Sequence, residues 1–182
     1  SFEKAQVEFA LAGSWGGLGY AYSLSGDLES GQKYIQKNIK YLVDKGVRMF
    51  LSLNYVLLSV VHFTSGDFQK AEDCAKEALT VSQKYDQKDY EGVSMIWLGR
   101  ILGKEKPSPG VRADEYIIQG MKICDELNLK PWSAQGYLFL GELYADKGQR
   151  EKALENLKKA GRMFQEMGME YWLSKTREVQ SE

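Results

Sequence analysis

Residues 141–160, GELYADKGQREKALENLKKA, decide how this chain is read, because residues 19–38, GYAYSLSGDLESGQKYIQKN, follow the same plan with few identical letters. Both begin with a small residue, place an aromatic three positions on and a glycine seven positions on, cross a polar turn and enter an amphipathic run. The shared plan extends over the chain. The small residue that starts each amphipathic run after a turn is Gly31, Ala71, Ala113 and Ala153, at spacings of 40, 42 and 40. Four positions on stand Ile35, Ala75, Ile117 and Leu157; seven on, Asn38, Ala78, Gly120 and Ala160; nineteen on, the aromatics Phe50, Tyr90, Trp132 and Trp172. Leu18, Leu58, Leu98 and Leu140 precede the small residues Gly19, Ser59, Gly99 and Gly141. Several columns recurring at one period define an internal repeat.

Each unit reads as two helices. Tyr137, Leu140, Gly141 and Tyr144 fall at i, i+3, i+4 and i+7, one face of a helix, and so do Trp15, Leu18, Gly19 and Tyr22. A glycine or serine on such a face lets the neighbouring backbone approach. Between the helices lie SGDLES, SGDFQK and KGQREK; Gly26, Gly66 and Gly148 suit the left-handed position that ends a helix, and Asp27 and Asp67 suit the N-cap of the next. The third unit differs, with KEKPSPGVRAD bringing two prolines, so its first helix must stop before Pro107.

These residues resemble the tetratricopeptide repeat, whose pattern is Trp-x2-Leu-Gly-x2-Tyr followed by Ala, an apolar or aromatic residue, Ala and Pro. Trp15, Leu18, Gly19 and Tyr22 match the first half; Tyr137, Leu140, Gly141 and Tyr144 match it with Tyr for Trp. Ala71/Ala75/Ala78, Ala113/Ile117/Gly120 and Ala153/Leu157/Ala160 match the second half. The period is 40–42 rather than about 34, so each helix is expected to be about three residues longer. The final Pro is missing, Ser59 and His62 replace Gly and Tyr, and Gly31 and Asn38 replace two alanines. The resemblance implies an all-α, right-handed superhelical solenoid of antiparallel helix pairs, with about four hairpins and a C-terminal capping helix. It implies one domain over 1–182, with repeats at 9–46, 47–87, 88–129 and 130–168 and a cap at 169–182, where Leu173 and Val179 form an apolar side. Residues 143–180 also resemble the tails of large bacterial proteins in which a nucleotide-cyclase domain and a P-loop ATPase module precede a tetratricopeptide array. The chain, which does not begin with Met, is expected to be a piece of such a longer protein.

Stacked hairpins present a concave surface. The offsets of the family pattern assign to it Tyr20; Val56, Val60 and Phe63; Ile96 and Arg100; Leu138 and Glu142. Family members that clamp acidic peptide tails carry Lys, Asn and Arg at these offsets. The mostly apolar set here implies no such carboxylate clamp, and a groove suited to an apolar helix or extended segment. It also makes self-association through apolar surfaces an expectation.

Bulk properties set the remaining bounds. The 182 residues carry a net charge of −1, with 43% hydrophobic, 27% charged and three prolines, an ordinary globular composition. That balance argues against nucleic-acid binding, and the strip Lys158, Lys159 and Arg162 reads as a solvated face. The longest apolar run, YVLLSVVHF, is interrupted by Ser59 and His62 and too short to span a bilayer. Cys74 and Cys124 read as small buried residues of a reducing cytoplasm. His62 is the one histidine, GSWGGLG lies within a helical pattern, and no nucleophile–base constellation or metal motif stands out. We therefore expect a non-enzymatic scaffold without cofactor or metal, located in the cytoplasm, that binds a protein, a peptide or other domains of its own chain. It would be the regulatory arm of a multidomain signalling protein. The alternative is a small-molecule-sensing module controlling a linked cyclase or ATPase, with segment 104–110 gating a groove end.

Overall fold

The computed structural model describes residues 2–104 and 112–181, and of residues 2–9 and 11–13 the backbone alone. The proline-bearing segment expected to act as a gate lies, apart from Lys104, outside the described residues. The chain forms two compact units, Ser1–Tyr90 and Glu91–Glu182. In the first, α1 (Phe2–Leu24) pairs with α2 (Leu28–Asp44), and α3 (Leu51–Thr64) with α4 (Phe68–Lys84). Helix α5 (Lys88–Lys104) enters the second unit, which continues with α6 (Ala113–Glu126), the pair α7 (Lys130–Asp146) and α8 (Arg150–Glu166), and α9 (Glu170–Ser181). Among the described residues there is no strand.

The turns follow from local chemistry. Between α1 and α2, Gly26 takes φ +92°, its N–H donates to the Ser23 carbonyl (3.2 Å), and the Asp27 N–H reaches the Tyr22 carbonyl (3.0 Å). This paired closure satisfies carbonyls that the helix end would orphan. The same closure recurs at Gly66, Asp86, Asn128, Gly148 and Gly168, so one three-residue device serves both within and between hairpins. Asp27 then accepts from the Ser30 N–H (3.0 Å) and Asp67 from the Lys70 N–H (3.2 Å), capping α2 and α4. The backbone bond holds the Asp27 carboxyl below the usual aspartate range, and the Lys70 ammonium, together with the Lys70 N–H, does the same for Asp67.

The small-residue columns act through close approach. A Cβ on Gly99 would lie 2.6 Å from Ile117 Cγ1 and 2.7 Å from the Ala113 carbonyl; on Gly141, 2.5 Å from Leu157 Cγ. Above these contacts sit two cores. In the first unit Ile35, Leu57, Leu58 and Val61 pack together. In the second, Trp97 meets Phe139 edge-on at 4.8 Å, and Trp172 joins Phe139 at 6.2 Å and stacks on Phe164 at 6.1 Å. Aromatic pairs of this kind contribute about 0.5–1.5 kcal/mol each beyond area burial. In α9, Trp172, Leu173 and Thr176 are buried, while Val179 is half-buried. Leu18 departs from its column: Leu58, Leu98 and Leu140 are buried but Leu18 is 41% exposed, α1 being packed by α2 and only lightly by α3.

One repeat-to-repeat junction breaks the pattern. The connections before α5, α7 and α9 span three residues each, whereas the one before α3 spans six, 45–50. By the 40-residue register Arg48, Met49 and Phe50 correspond to Lys88, Asp89 and Tyr90, the first turn of α5. In α3 that turn is open, and Phe50 sits at φ +64°, ψ 0°, a conformation costing a bulky residue about 1–3 kcal/mol. Asn54 Nδ2 donates to the Phe50 carbonyl (2.8 Å), and Asn38 Nδ2 donates to Asn54 Oδ1 (2.9 Å). That relay explains why Asn38, 1% exposed, replaces alanine in its column.

His62 is buried in α3, and burial depresses its pKa below the ordinary 6.5, with Lys70 acting in the same direction and Asp67 opposing. The unfolded chain therefore takes up a proton near pH 6.5 that the folded chain refuses, so stability is present above that pH and falls below it. The urea midpoint is expected to drop between pH 7.5 and 5.5, and His62→Gln to flatten that drop. An identical pH dependence in the variant would remove His62 as its source.

Candidate functional site

The residues assigned to a concave surface separate into two groups. Val56, Ile96 and Leu138 are fully enclosed and Val60 is 6% exposed. They form the interior of their helices' packing rather than an open wall. The reason is that α3 is contacted by α1, α2 and α4, and α7 by α6, α8 and α9, so an offset that faces away from the hairpin partner still meets another helix. Tyr20 is half-buried against the Ile35 core, and Phe63 is half-buried, edge-on to Phe68 at 5.5 Å. Arg100 and Glu142 are brought together.

Arg100 projects from α5 and Glu142 from α7, at corresponding positions of successive repeats 42 residues apart. The guanidinium binds the carboxylate through two parallel contacts, Nε to Oε2 at 2.9 Å and Nη2 to Oε1 at 2.8 Å, a geometry for which Arg is suited and Lys is not. The side chains are 16% and 10% exposed. The guanidinium carbon lies 4.0 Å from the Phe139 ring centroid and 5.1 Å from that of Trp97, so the aromatic core carries the cation on its face. One turn further along both helices Lys104 Nζ meets Asp146 Oδ2 at 2.5 Å. On α9 Lys175 pairs with Glu178 at 2.8 Å; that hydrogen bond raises the Lys175 pKa, and the nearby Arg100 charge works against it. Gln135, seven residues before Glu142 and on the same helix face, is 2% exposed, and its Oε1 has no hydrogen-bond partner.

The first-helix face of the second unit thus presents paired ions above an aromatic base, in place of the apolar stripe expected, and the unmet acceptor of Gln135 lies buried beneath it. Lys104, Asp146, Lys175, Glu178 and Gln135 were not anticipated. A signal was available for one pair, since Lys104 and Asp146 carry opposite charges at equivalent repeat positions. Gln135 gave none, because satisfaction of an amide depends on its three-dimensional surroundings. Elsewhere Lys158, Lys159 and Arg162 are exposed, with Lys159 donating to the Tyr137 hydroxyl at 2.5 Å. Cys124 is buried. Cys74 is half-buried, and burial, with Asp73, Asp67 and Glu77 nearby, pushes its thiol up to about 11, far from a reactive thiolate at neutral pH. Among the described residues no three His, Cys, Asp or Glu side chains are placed to hold a metal ion, and no helix is long and apolar enough to cross a membrane.

The tetratricopeptide repeat family model matches residues 54–85 and 134–166, that is, α3–α4 and α7–α8. No curated protein matches the chain. Among solved structures, the crystal structure of aspartyl phosphate phosphatase F from Bacillus subtilis is similar, with a TM-score of 0.71 at 16% identity over 94% of this chain and 45% of that one. This chain spans less than half the length of that protein, and at this identity the likeness shows the helical-repeat fold alone.

Proposed function

We propose that this chain, two segments of which are tetratricopeptide repeats, is a non-catalytic scaffold that holds a partner peptide or domain on its first-helix faces. The observation that carries the reading is the α5–α7–α9 face, where Arg100 and Glu142, Lys104 and Asp146, and Lys175 and Glu178 form a ribbon of paired charges. Paired charges supply specificity, because a wrong partner must break them without replacing them. In the first unit Tyr20 and Phe63 are the accessible members of the assigned set, while Val56, Val60, Ile96 and Leu138 act from beneath as the packed support of these faces.

The finer reading is that the scaffold serves as the regulatory arm of a multidomain signalling protein in the cytoplasm. It is supported by the resemblance of residues 143–180 to the tails of cyclase–ATPase proteins, and at the level of fold by the likeness to a protein named as an aspartyl phosphate phosphatase. Site-specific photocrosslinking tests the binding face. A benzophenone amino acid at Phe63 or Glu178 is expected to capture a partner from the native extract, and one at Lys158, on the outer face of α8, is not. Equal capture from Lys158 would overturn the assignment.

A further inference from the structure

The open turn before α3 borders a cleft of about 400 Å³ enclosed by the C-terminal end of α2, the 45–50 connection, α3 and α4. That size falls within the roughly 300–1,000 Å³ of ligand sites. Its floor is apolar, made by Leu42, Val47, Leu51 and Val81, with Tyr55 and Tyr85 on the walls. If α3 began in register with α5, α7 and α9, residues 48–50 would be helix. Instead Arg48 is carried outward and lies 4.7 Å from the Tyr85 ring centroid, with Lys84 Nζ 5.4 Å from the same ring. The opened backbone is held by specific bonds: Gln87 Nε2 donates to the Arg48 carbonyl (3.2 Å), and the buried Ser52 hydroxyl donates to Gln87 Oε1 (2.6 Å).

Two further observations point to an occupant. Lys40, Lys70 and Lys76 in the same unit each reach a carboxylate, but among the described residues neither Arg48 nor Lys84 has one within ion-pair distance. Glu77, the carboxylate of the lining, lies two turns from Lys84 along α4, about 10 Å away. Of the lining residues Val43 is 55% exposed, so apolar surface continues outward from the floor.

We propose that this cleft is a second recognition site, separate from the α5–α7–α9 face, for an extended peptide segment in which an Asp or Glu adjoins a bulky apolar side chain. The apolar side chain fills the floor between Tyr55 and Val81. The neighbouring carboxylate takes the two cations at Tyr85, a position that the lining carboxylate of Glu77, two turns away on α4, does not fill. The departure from repeat geometry at Phe50 is what moves Arg48 to that position, and it gives the left-handed backbone a role that repeat stacking does not require.

The test is selection of a displayed random dodecapeptide library on the full chain, followed by fluorescence polarisation with the enriched peptides synthesised. Enriched sequences are expected to carry an acidic residue beside Leu, Phe, Tyr or Trp, and to bind at least tenfold more weakly to the double variant Arg48→Glu/Lys84→Glu. Both side chains are on the surface, so the thermal midpoint is expected to be unchanged. Charge reversal on α8, Lys158→Glu/Arg162→Glu, is expected to leave binding intact, as is Arg100→Met/Glu142→Leu. No enrichment, enrichment without acidic residues, or equal binding to Arg48→Glu/Lys84→Glu would overturn the proposal. Peptides lost with Arg100→Met/Glu142→Leu instead would report the other face and count against this cleft.

Discussion

Gly99→Val is expected to destabilise the chain by about 3 kcal/mol, the upper part of the range for overpacking a tight contact. The added Cβ alone would stand 2.6 Å from Ile117 Cγ1, 2.7 Å from the Ala113 carbonyl oxygen and 3.0 Å from the Ile117 nitrogen. Two of those atoms are backbone of α6 and cannot rotate away, so α5 must move off its partner. Val also brings no helix propensity that offsets the contact. Gly17→Ala provides the contrast, because a Cβ there meets nothing within 4 Å. It is expected to stabilise by about 0.5–1 kcal/mol through reduced backbone entropy of the unfolded chain and better helix propensity. Urea unfolding with an unchanged slope distinguishes the two effects from a change in denatured-state compactness. A cost below 1 kcal/mol for Gly99→Val would mean that α5 and α6 do not approach as closely as described. The substitution also bears on the proposed binding face: Arg100 is the next residue, so displacing α5 would pull the guanidinium from Glu142.

Arg100→Ala is expected to cost about 2–4 kcal/mol, somewhat under the roughly 3–5 kcal/mol for breaking a fully buried pair, because both side chains keep limited solvent contact. It leaves the Glu142 carboxylate, 10% exposed, without its bidentate partner, and strips the cation from the Phe139 and Trp97 faces. Glu142→Ala is expected to cost less, since Arg100 keeps its aromatic contacts. The double substitution Arg100→Met/Glu142→Leu is expected to be within about 1 kcal/mol of the original chain, as apolar groups of similar size replace a pair whose desolvation largely offsets its attraction. A double-mutant cycle reads the coupling directly. Coupling near zero would make the pair an ordinary surface contact rather than a fixed element of the proposed binding face. Because the pair is shielded, its coupling is expected to change little between 0.1 and 0.5 M salt, unlike that of the exposed Lys40–Asp44 pair.

Much of the architecture was legible beforehand because its determinants are local. Gly26, Gly66 and Gly148 end helices by backbone conformation, and Asp27 and Asp67 cap the next ones through side chains three residues away. Gly19, Gly99 and Gly141 are small where another helix lies against them, a requirement that recurs with the period and so shows as a column. The site was less legible. Val56, Ile96 and Leu138 were assigned outward by an offset that assumes one neighbour per helix, and the central helices have more than one. Arg100 and Glu142 were named separately as exceptions in an apolar groove; the structure joins them. The unwound first turn of α3 left no mark, since Phe50 keeps its aromatic column while its backbone changes.

By itself, then, the sequence determined the helical hairpins, their 40–42-residue register, the turns between them and the small residues at their contacts, all consequences of interactions spanning a few positions or repeating identically. Only the tertiary structure decided which side chains are accessible, which ions are already paired, and that Arg48 stands in a cleft beside Lys84 and Tyr85. Those properties depend on distances between residues tens of positions apart, and burial and pairing are set by what surrounds a side chain rather than by its neighbours in the chain.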